Sequence, residues 1–545
     1  MVVVQAYMVR LQQRYAELKV LRSNLDSMFY DAQKYVRPNS DKFDHGHTPM
    51  QEDGSRELYD DTAVWCNQMF ANGLSSNLIP KSDRWFYLRI TNRANADVTP
   101  EETQYLQGVA DRIFHEFALP QSQFYSSSHE CFLDVGAYGT SPVQISEVNG
   151  VVNFRSRPLA DVFFDTDQYG TVDTVYYRCY KTARQLMQAF PNVEGMQGFN
   201  KDNSVHNKYE LIYTIEPNTD KAAKKGSRVG KGRPYKVTYW CPALKEPLQE
   251  SGSSYFTFLV PRWSKLADEV YGRGPAFSCL SQIRALNKMV KEALTSAEYL
   301  NFPTLTAEED SIMLPMKYGS RQIMFHEAGS EKPSPIMAGN QPQYVMEMIR
   351  MYRDSVNRSF FVDQIIRQEK KERQSVTEIQ DVRGQMLNQL APLLNRMETE
   401  YLGPAIEATF ELLDRAGELP EKPASLAGAS LEVSYSSPAS QSQFATRLSD
   451  ISAFMQDIAP LAQVKPEIMN AVNEQKLLAS YAQYRNISPE VIKTEEEVSE
   501  ISRVAQEQIQ QQQAVTAAPQ IGGAMKDIAQ AKQLDPEGVG QLLNI

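Results

Sequence analysis

Five prolines, Pro303, Pro315, Pro333, Pro335 and Pro342, fall within forty residues between two amphipathic stripes, and no other feature constrains the fold as tightly. Proline lacks a backbone donor and clashes with the preceding turn, so a helix cannot run through this stretch. Before it, Leu280, Ile283, Leu286, Val290, Leu294 and Ala297 recur at a spacing of three to four; after it, Val345, Met348, Ile349, Tyr352, Val356 and Phe360 do the same. The spacing predicts two long helices, about 275–300 and 342–362, joined by a compact α/β excursion holding the strand-like RQIMFHE. A further periodic segment runs through Val376, Ile379, Leu387, Leu390, Leu394, Met397 and Tyr401, with kinks expected at Pro392 and at Gly403-Pro404.

The chain before this hairpin changes period once. Residues 4–36 read as helix on Leu11, Leu18, Leu21, Leu25 and Met28, and LYDDTAVWCNQMFANGLSSNLI reads as a second helix ended by Pro80. WFYLRI looks like a strand, and residues 101–140 return to helix. From about 140 to 263 the pattern is β-branched and aromatic: PVQISEV, VVNFRSRPL, DVFFDTD, TVDTVYYRCY, YELIYTIEP, YKVTYWC and YFTFLVPRW, divided by turn residues. This predicts an antiparallel insert, interrupted by the short helix TARQLMQAF. ELPEKPASLAG reads as a linker and residues 440–515 as helices, with Thr494-x-x-Glu497 a capping box. The glutamine-rich end reads as a flexible tail. The fold class expected is α+β, predominantly helical.

Composition narrows the function. With 545 residues the chain is long enough for several domains. Its net charge of -11 argues against a protein that wraps nucleic acid tightly, so any DNA contact is local or loose. The five cysteines, Cys66, Cys131, Cys179, Cys241 and Cys279, form no C-x-x-C pair and fit reduced thiols. The opening MVVVQAYMVR meets charge too early for an export signal, and no window is apolar enough for a membrane span.

The motifs offer little catalysis. KKGSRVGKGR at 224–233 has Lys225 where a P-loop needs glycine and Gly232 where magnesium needs a hydroxyl, so a basic hairpin tip is the better reading. His45 and His47 have no ligand set around them and read as loop histidines. Asp60-Asp61 precede a helix and suit its N-terminal dipole. In Tyr271-Gly272-Arg273-Gly274-Pro275 the glycines suit a tight turn that sets Pro275 in the first turn of the next helix. No cofactor, metal site or enzyme activity is expected. Many long helices with few chemical groups suggest packing against copies of the same chain, and a head-to-tail contact that closes makes a ring.

Several ordered segments then carry a resemblance: LYDDTAVWCNQMFANGLSSNLIPKSDRWFYLRI, DVFFDTDQYGTVDTVYYRCYKTARQLMQAF, EVYGRGPAFSCLSQIRALNKMVKEAL, SVTEIQDVRGQMLNQLAPLLNRMETEYLGPAIEATFELLDRAGELP and SYSSPASQSQ. From about 10 to 510 the chain resembles the portal proteins, the head-to-tail connectors of short-tailed, podovirus-like bacteriophages. The resemblance implies a dodecameric ring at one capsid vertex through which double-stranded DNA is packaged and ejected, in a virion assembled in the host cytoplasm. It implies a wing at 1–274 and 376–420, stem helices at 275–300 and 342–362, and a clip at 301–341. It further implies a tunnel loop at 363–375, a helical crown at 430–510 and an uncovered tail at 515–545. Implied partners are the large terminase, the major capsid and scaffolding proteins, and head-tail adaptor and tail proteins; no membrane is involved. Another ring-forming adaptor or tail hub is the alternative.

The resemblance also nominates residues. Arg367, Lys370, Lys371 and Arg373 in RQEKKER would line the DNA channel; composition alone reads the same loop as a solvated connection, and Ser375 as a helix cap. Lys317, Arg321, His326 and Glu327 would form the clip surface that meets the terminase and adaptor.

Overall fold

The computed structural model describes residues 2–38, 58–91, 99–191, 207–218, 233–301, 305–306, 334–335, 342–362, 390–426 and 431–435, apart from 83, 149 and 245, with a few more positions in 451–460 and at 503. The chain divides into two units: Met1–Thr91 with Tyr105–Gln443, and Asn92–Gln104 with Phe444–Ile545. In the second, Thr99 and Glu102 cap the start of a helix reciprocally, each side chain accepting from the other residue's N–H at 3.4 and 3.0 Å. Short helical stretches fall at 451–454 and 456–458. All else concerns the first unit.

It opens with α1 (Val2–Val36), α2 (Thr62–Leu78), β1 (Phe86–Ile90), the part of α3 (Pro100–Ala118) from Tyr105 onward and α4 (Phe124–Tyr138). The helix expected over 101–140 is thus two helices. Pro120 falls in the connection, and Gln123 adopts a left-handed φ of 55° before α4 begins. The insert follows as β2 (Val143–Val148), β3 (Val151–Ser156), β4 (Val162–Thr166), β5 (Val172–Thr182), α5 (Ala183–Ala189), β6 (Lys208–Pro217), β7 (Tyr235–Trp240), β8 (Gln249–Ser253) and β9 (Phe258–Leu259). These strands are antiparallel, as the turn-punctuated sequence predicts, but they form two sheets: β3-β2-β9 and β4-β5-β6-β7-β8. Thr182 and Gln185 close a capping box on α5.

The five-stranded sheet buries one face under α1. Met8, Leu11, Tyr15 and Leu18, spaced by three or four, meet Phe163, Tyr176, Ile212 and Trp240. Tyr15 lies edge-on to Phe163 at 5.3 Å and to Trp240 at 6.1 Å. Each such apolar side chain contributes roughly 1.5–3 kcal/mol when fully buried. One turn on, the buried Arg22 donates to the carbonyls of Leu159 (3.0 Å) and Ala160 (2.7 Å), its guanidinium 4.0 Å from the Phe163 ring centre. Those bonds tie α1 to the start of β4.

A second core is aromatic. Trp85, Phe86, Phe117, Phe124 and Phe154 interleave, with Phe117 and Phe124 stacked at 4.1 Å. It joins β1, α3, α4 and β3, and reaches Tyr401, whose hydroxyl shares a 2.7 Å hydrogen bond with Ser128. Tyr401 lies in a helix that begins its described course at 390, passes through a π-turn (Glu398–Leu402) and continues as an α-helix (Gly403–Ala416). The break expected at Gly403-Pro404 is therefore one wide turn. Pro404 has no N–H to give, and the Gly403 N–H bonds the Glu398 carbonyl five residues back. Pro392 lies within helix as well.

WFYLRI is a strand, and its partner lies 345 residues away: Phe86–Ile90 pairs antiparallel with Leu431–Tyr435. That second strand opens the region assigned to the crown on resemblance. Nothing in either segment's own pattern names the other.

Candidate functional site

The paired helices predicted around the proline cluster are α6 (Pro275–Asn301) and α7 (Pro342–Ser359). Ser355 Oγ donates to Gln282 Oε1 at 2.8 Å, and Cys279 sits beside Ser359, so positions rise on one helix as they fall on the other. The pair is an antiparallel hairpin. Burial pushes the Cys279 thiol up to about 11, so it stays protonated and inert at neutral pH.

A glycine knot holds the base of α6. Gly139 caps α4 at φ 79° and its backbone lies against Arg273 and Gly274; a Cβ on Gly139 would sit 2.2 Å from the Gly274 nitrogen, and one on Gly274 2.5 Å from the Val135 carbonyl. Only glycine allows that approach, and it sets Pro275 at the first helical position, as the sequence predicts.

The hairpin is then tethered to the body from both sides. Asn287 Oδ1 accepts from the Tyr59 and Asp60 N–H groups at 2.7 and 3.2 Å. Arg353 donates to Asp60 Oδ2 through two nitrogens at 3.0 and 2.7 Å, and the Cys66 thiol donates to Asn357 at 3.0 Å. Asp60 also accepts from the Thr62 N–H (3.1 Å), the helix-start role its position suggested, but its second oxygen serves α7. Arg353 and Asn287 were not singled out by sequence; their partners lie more than two hundred residues away.

Past α7, Phe360 packs on Phe70 and Phe361 on Trp263, with ring centres 6.4 and 6.3 Å apart. Phe361 has φ 59°, a conformation that costs a bulky side chain about 1 kcal/mol or more. The chain thus leaves the hairpin through a sharp, aromatic-clamped turn two residues before 363.

Beyond Asn287 on α6 and before Ile349 on α7, none of the residues whose side chains are described is buried. The 288–301 stretch spans about 21 Å at 1.5 Å per residue. The hairpin therefore projects, and it carries apolar side chains outward: Leu294 is 53% exposed, Tyr344 62%, Met346 52% and Met351 66%. Its charge also departs from the chain's. Arg284, Lys288, Lys291, Arg350, Arg353 and Arg358 outnumber Glu292, Glu298, Glu347 and Asp354, giving +2 in a chain of -11. Counting charge along the two stripes, and not only between them, exposes this feature.

Behind the hairpin, Arg262 is a hub. Its backbone N–H and two guanidinium nitrogens donate to the Glu400 carboxylate at 2.8–3.0 Å, and the guanidinium also reaches the carbonyls of Val270 (3.2 Å) and Gly170 (2.8 Å). It ties the π-turn to the loop that precedes α6.

Arg367, Lys370, Lys371 and Arg373 lie outside the described residues, as do Lys317, Arg321, His326 and Glu327; so do His45, His47, Ser375, Thr494 and most of KKGSRVGKGR. Of the last, Arg233 is described, and it donates to the Gly252 carbonyl at 2.6 Å. No group of three or more His, Cys, Asp or Glu side chains able to hold a metal is found among the described residues, and no described helix is long and apolar enough to cross a membrane.

Residues 9–492 match the family profile described as bacteriophage head to tail connecting protein. The portal protein of Salmonella phage epsilon15 is 24% identical over 549 residues, an alignment covering 98% of each chain. The probable portal protein of Bordetella phage BPP-1 is 24% identical over 525 residues, covering 93% of this chain and 92% of the relative. With the profile running through the hairpin, its anchors and the π-turn, the chain belongs to the bacteriophage head-to-tail connecting protein family.

Proposed function

We propose that the chain is a phage portal subunit, which forms a ring-shaped channel at one capsid vertex, passes genomic DNA inward and outward, and joins head to tail. The observation that carries this reading is the projecting α6–α7 hairpin, in a chain whose full-length relatives are named portal proteins. On this reading the hairpin is the stem, 301–341 the clip, 363–375 the tunnel loop, 1–274 with 376–420 the wing, and the region after Tyr435 the crown. The role is structural and not catalytic.

The ring is dodecameric on this reading. The exposed Leu294, Tyr344, Met346 and Met351 have apolar surface to bury against a neighbouring copy, and a heterologous contact whose rotation closes makes a ring. DNA carries one charge per about 1.7 Å of axis, so a wholly basic tunnel would grip it. A stem of +2 per copy in a subunit of -11 gives weak, repeated attraction with repulsion around it, which suits sliding. Arg367, Lys370, Lys371 and Arg373 would add a collar, and Lys317, Arg321, His326 and Glu327 would face the large terminase and head-tail adaptor. Capsid, scaffolding and tail proteins complete the contacts at the vertex of a virion assembled in the host cytoplasm.

Negative-stain imaging of the purified chain, with mass measured by light scattering, tests the proposal. Rings with a central channel and a mass near twelve subunits are expected. A monomer or small dimer at assembly concentrations, or metal-dependent nuclease activity, overturns it.

A further inference from the structure

A heterologous contact joins two different patches, so the exposed side chains of the hairpin need a receiving surface elsewhere on the chain. One patch is a stripe along α7. Tyr344, Glu347, Met351, Asp354 and Arg358 recur at three and four residues, and all five are exposed. Met351 lies two residues from Arg353, about 200° round the helix, and Arg353 is the residue that reaches Asp60. The stripe is therefore on the far side of α7 from Asp60 and Tyr59.

The near side is aromatic and basic. Asn287, Lys291 and Leu294 share one face of α6. The Tyr59 N–H bonds Asn287, and Lys291 Nζ stands 5.3 Å from the Tyr59 ring centre. Closer to the root of the hairpin, Trp65 adjoins the Cys66–Asn357 bond. It is 42% exposed, whereas Trp85, Trp240 and Trp263 are buried. Exposed tryptophan and tyrosine beside basic groups are the composition of interface hot spots.

The two sides match level by level. On the portal reading the hairpins stand side by side around a channel, and rotation about its axis leaves height unchanged. The Ser355–Gln282 bond sets the levels, because positions rise on one helix as they fall on the other. Within one residue, Tyr344 is level with Leu294, Glu347 with Lys291, and Met351 with Asn287 and the Tyr59 it holds. Arg358 is level with the bond beside Trp65. Asp354 falls level with Arg284, which already pairs with Asp31 at 3.1 Å. Glu347 and Lys291 have no ion-pair partner among the described residues.

We infer that the ring contact joins these two sides, the Tyr344–Arg358 stripe of one copy packing on Leu294, Lys291, Tyr59 and Trp65 of the next. Tyr344 covers Leu294 and Glu347 pairs with Lys291. The Met351 sulfur meets the Tyr59 ring, and the Arg358 guanidinium lies over Trp65. The inference rests on the portal reading and adds to it which surfaces meet.

Cross-linking tests it in the full chain. Met351→Cys and Tyr59→Cys, singly and together, are treated with a short bis-maleimide and run on denaturing gels. The double variant should give a ladder of linked subunits, and each single variant no more than wild type. Glu347→Lys should raise the concentration for half-assembly at least about ten-fold, because like charges then face each other. Lys291→Glu should do the same, and the two together should return assembly close to wild type. Light scattering and negative stain of the same samples separate the failures. A wild-type chain that forms no rings removes the portal reading and this contact together. Rings without the ladder, links within a single variant, or a double reversal no better than either single one overturn the contact alone.

Discussion

Replacing Glu398 by glutamine should stabilise the chain at neutral and alkaline pH and leave it unchanged in acid. Glu398 opens the π-turn, where its main-chain carbonyl accepts from the Gly403 N–H and from the Tyr435 hydroxyl at 3.0 Å. Its carboxyl has no hydrogen-bond or ion-pair partner among the described residues, and Glu407 nearby is pushed up by burial in the same way. Desolvation alone raises Glu398 from the ordinary 4.5 to about 7. The folded chain therefore holds this proton more tightly than the unfolded one. Below about pH 4.5 the carboxyl is neutral in both states and costs nothing. As pH rises from there to about 7 the folded state bears a growing penalty, which levels off above 7. At 1.36 kcal/mol per decade the full penalty is about 3 kcal/mol, reduced in Glu398→Gln by the cost of burying an amide. Urea denaturation of wild type and variant from pH 4.5 to 8 reads it directly. The two stability curves should diverge with rising pH and run parallel beyond about 7. Parallel curves throughout, or a gap that opens toward acid, would refute the reasoning.

Other substitutions test the anchors and the ring. Arg262→Ala leaves Glu400 the residue-262 N–H and Arg396 at 3.9 Å but strips two carbonyls of their donor, and should cost about 1–3 kcal/mol of stability in denaturant titration. Arg353→Met leaves Asp60 only its own helix N–H; because Arg353 is half-exposed the loss should be about 1–2 kcal/mol, with faster amide exchange concentrated in α7. Met351→Glu places a charge on the apolar hairpin face and should shift rings toward free subunits in light scattering, with circular dichroism unchanged. Lys370→Ala, Lys371→Ala and Arg373→Ala together should alter DNA packaging or retention in assembled heads; unaltered packaging and retention would remove the loop from the channel.

The hairpin was legible because its limits are local. Pro275, Pro303 and Pro342 punctuate it, and the stripes between them have a single period. The antiparallel insert was legible for the same reason, since its turns lie between adjacent strands. What sequence could not supply were relations between distant positions. Asp60 looks like any acidic residue before a helix until Arg353, 293 residues on, is placed against it. The π-turn hides because one wide turn leaves the apolar spacing of Leu394, Met397 and Tyr401 intact. The split between α3 and α4 was missed because apolar periodicity continues on both sides of Pro120.

The pairing of β1 with a strand 345 residues downstream has a consequence during synthesis. At 5–20 residues per second, the ribosome needs roughly 20–70 s after making FYLRI before its partner exists. For that interval a nascent chain carries an apolar edge with nothing to close it, next to an aromatic core already able to collapse. Arg89 is the only charge interrupting it. Each subunit is thus most liable to aggregate before it is complete. Its yield in an infected cell should depend on elongation rate and on whatever shields β1 in that interval, as well as on the stability of the finished fold.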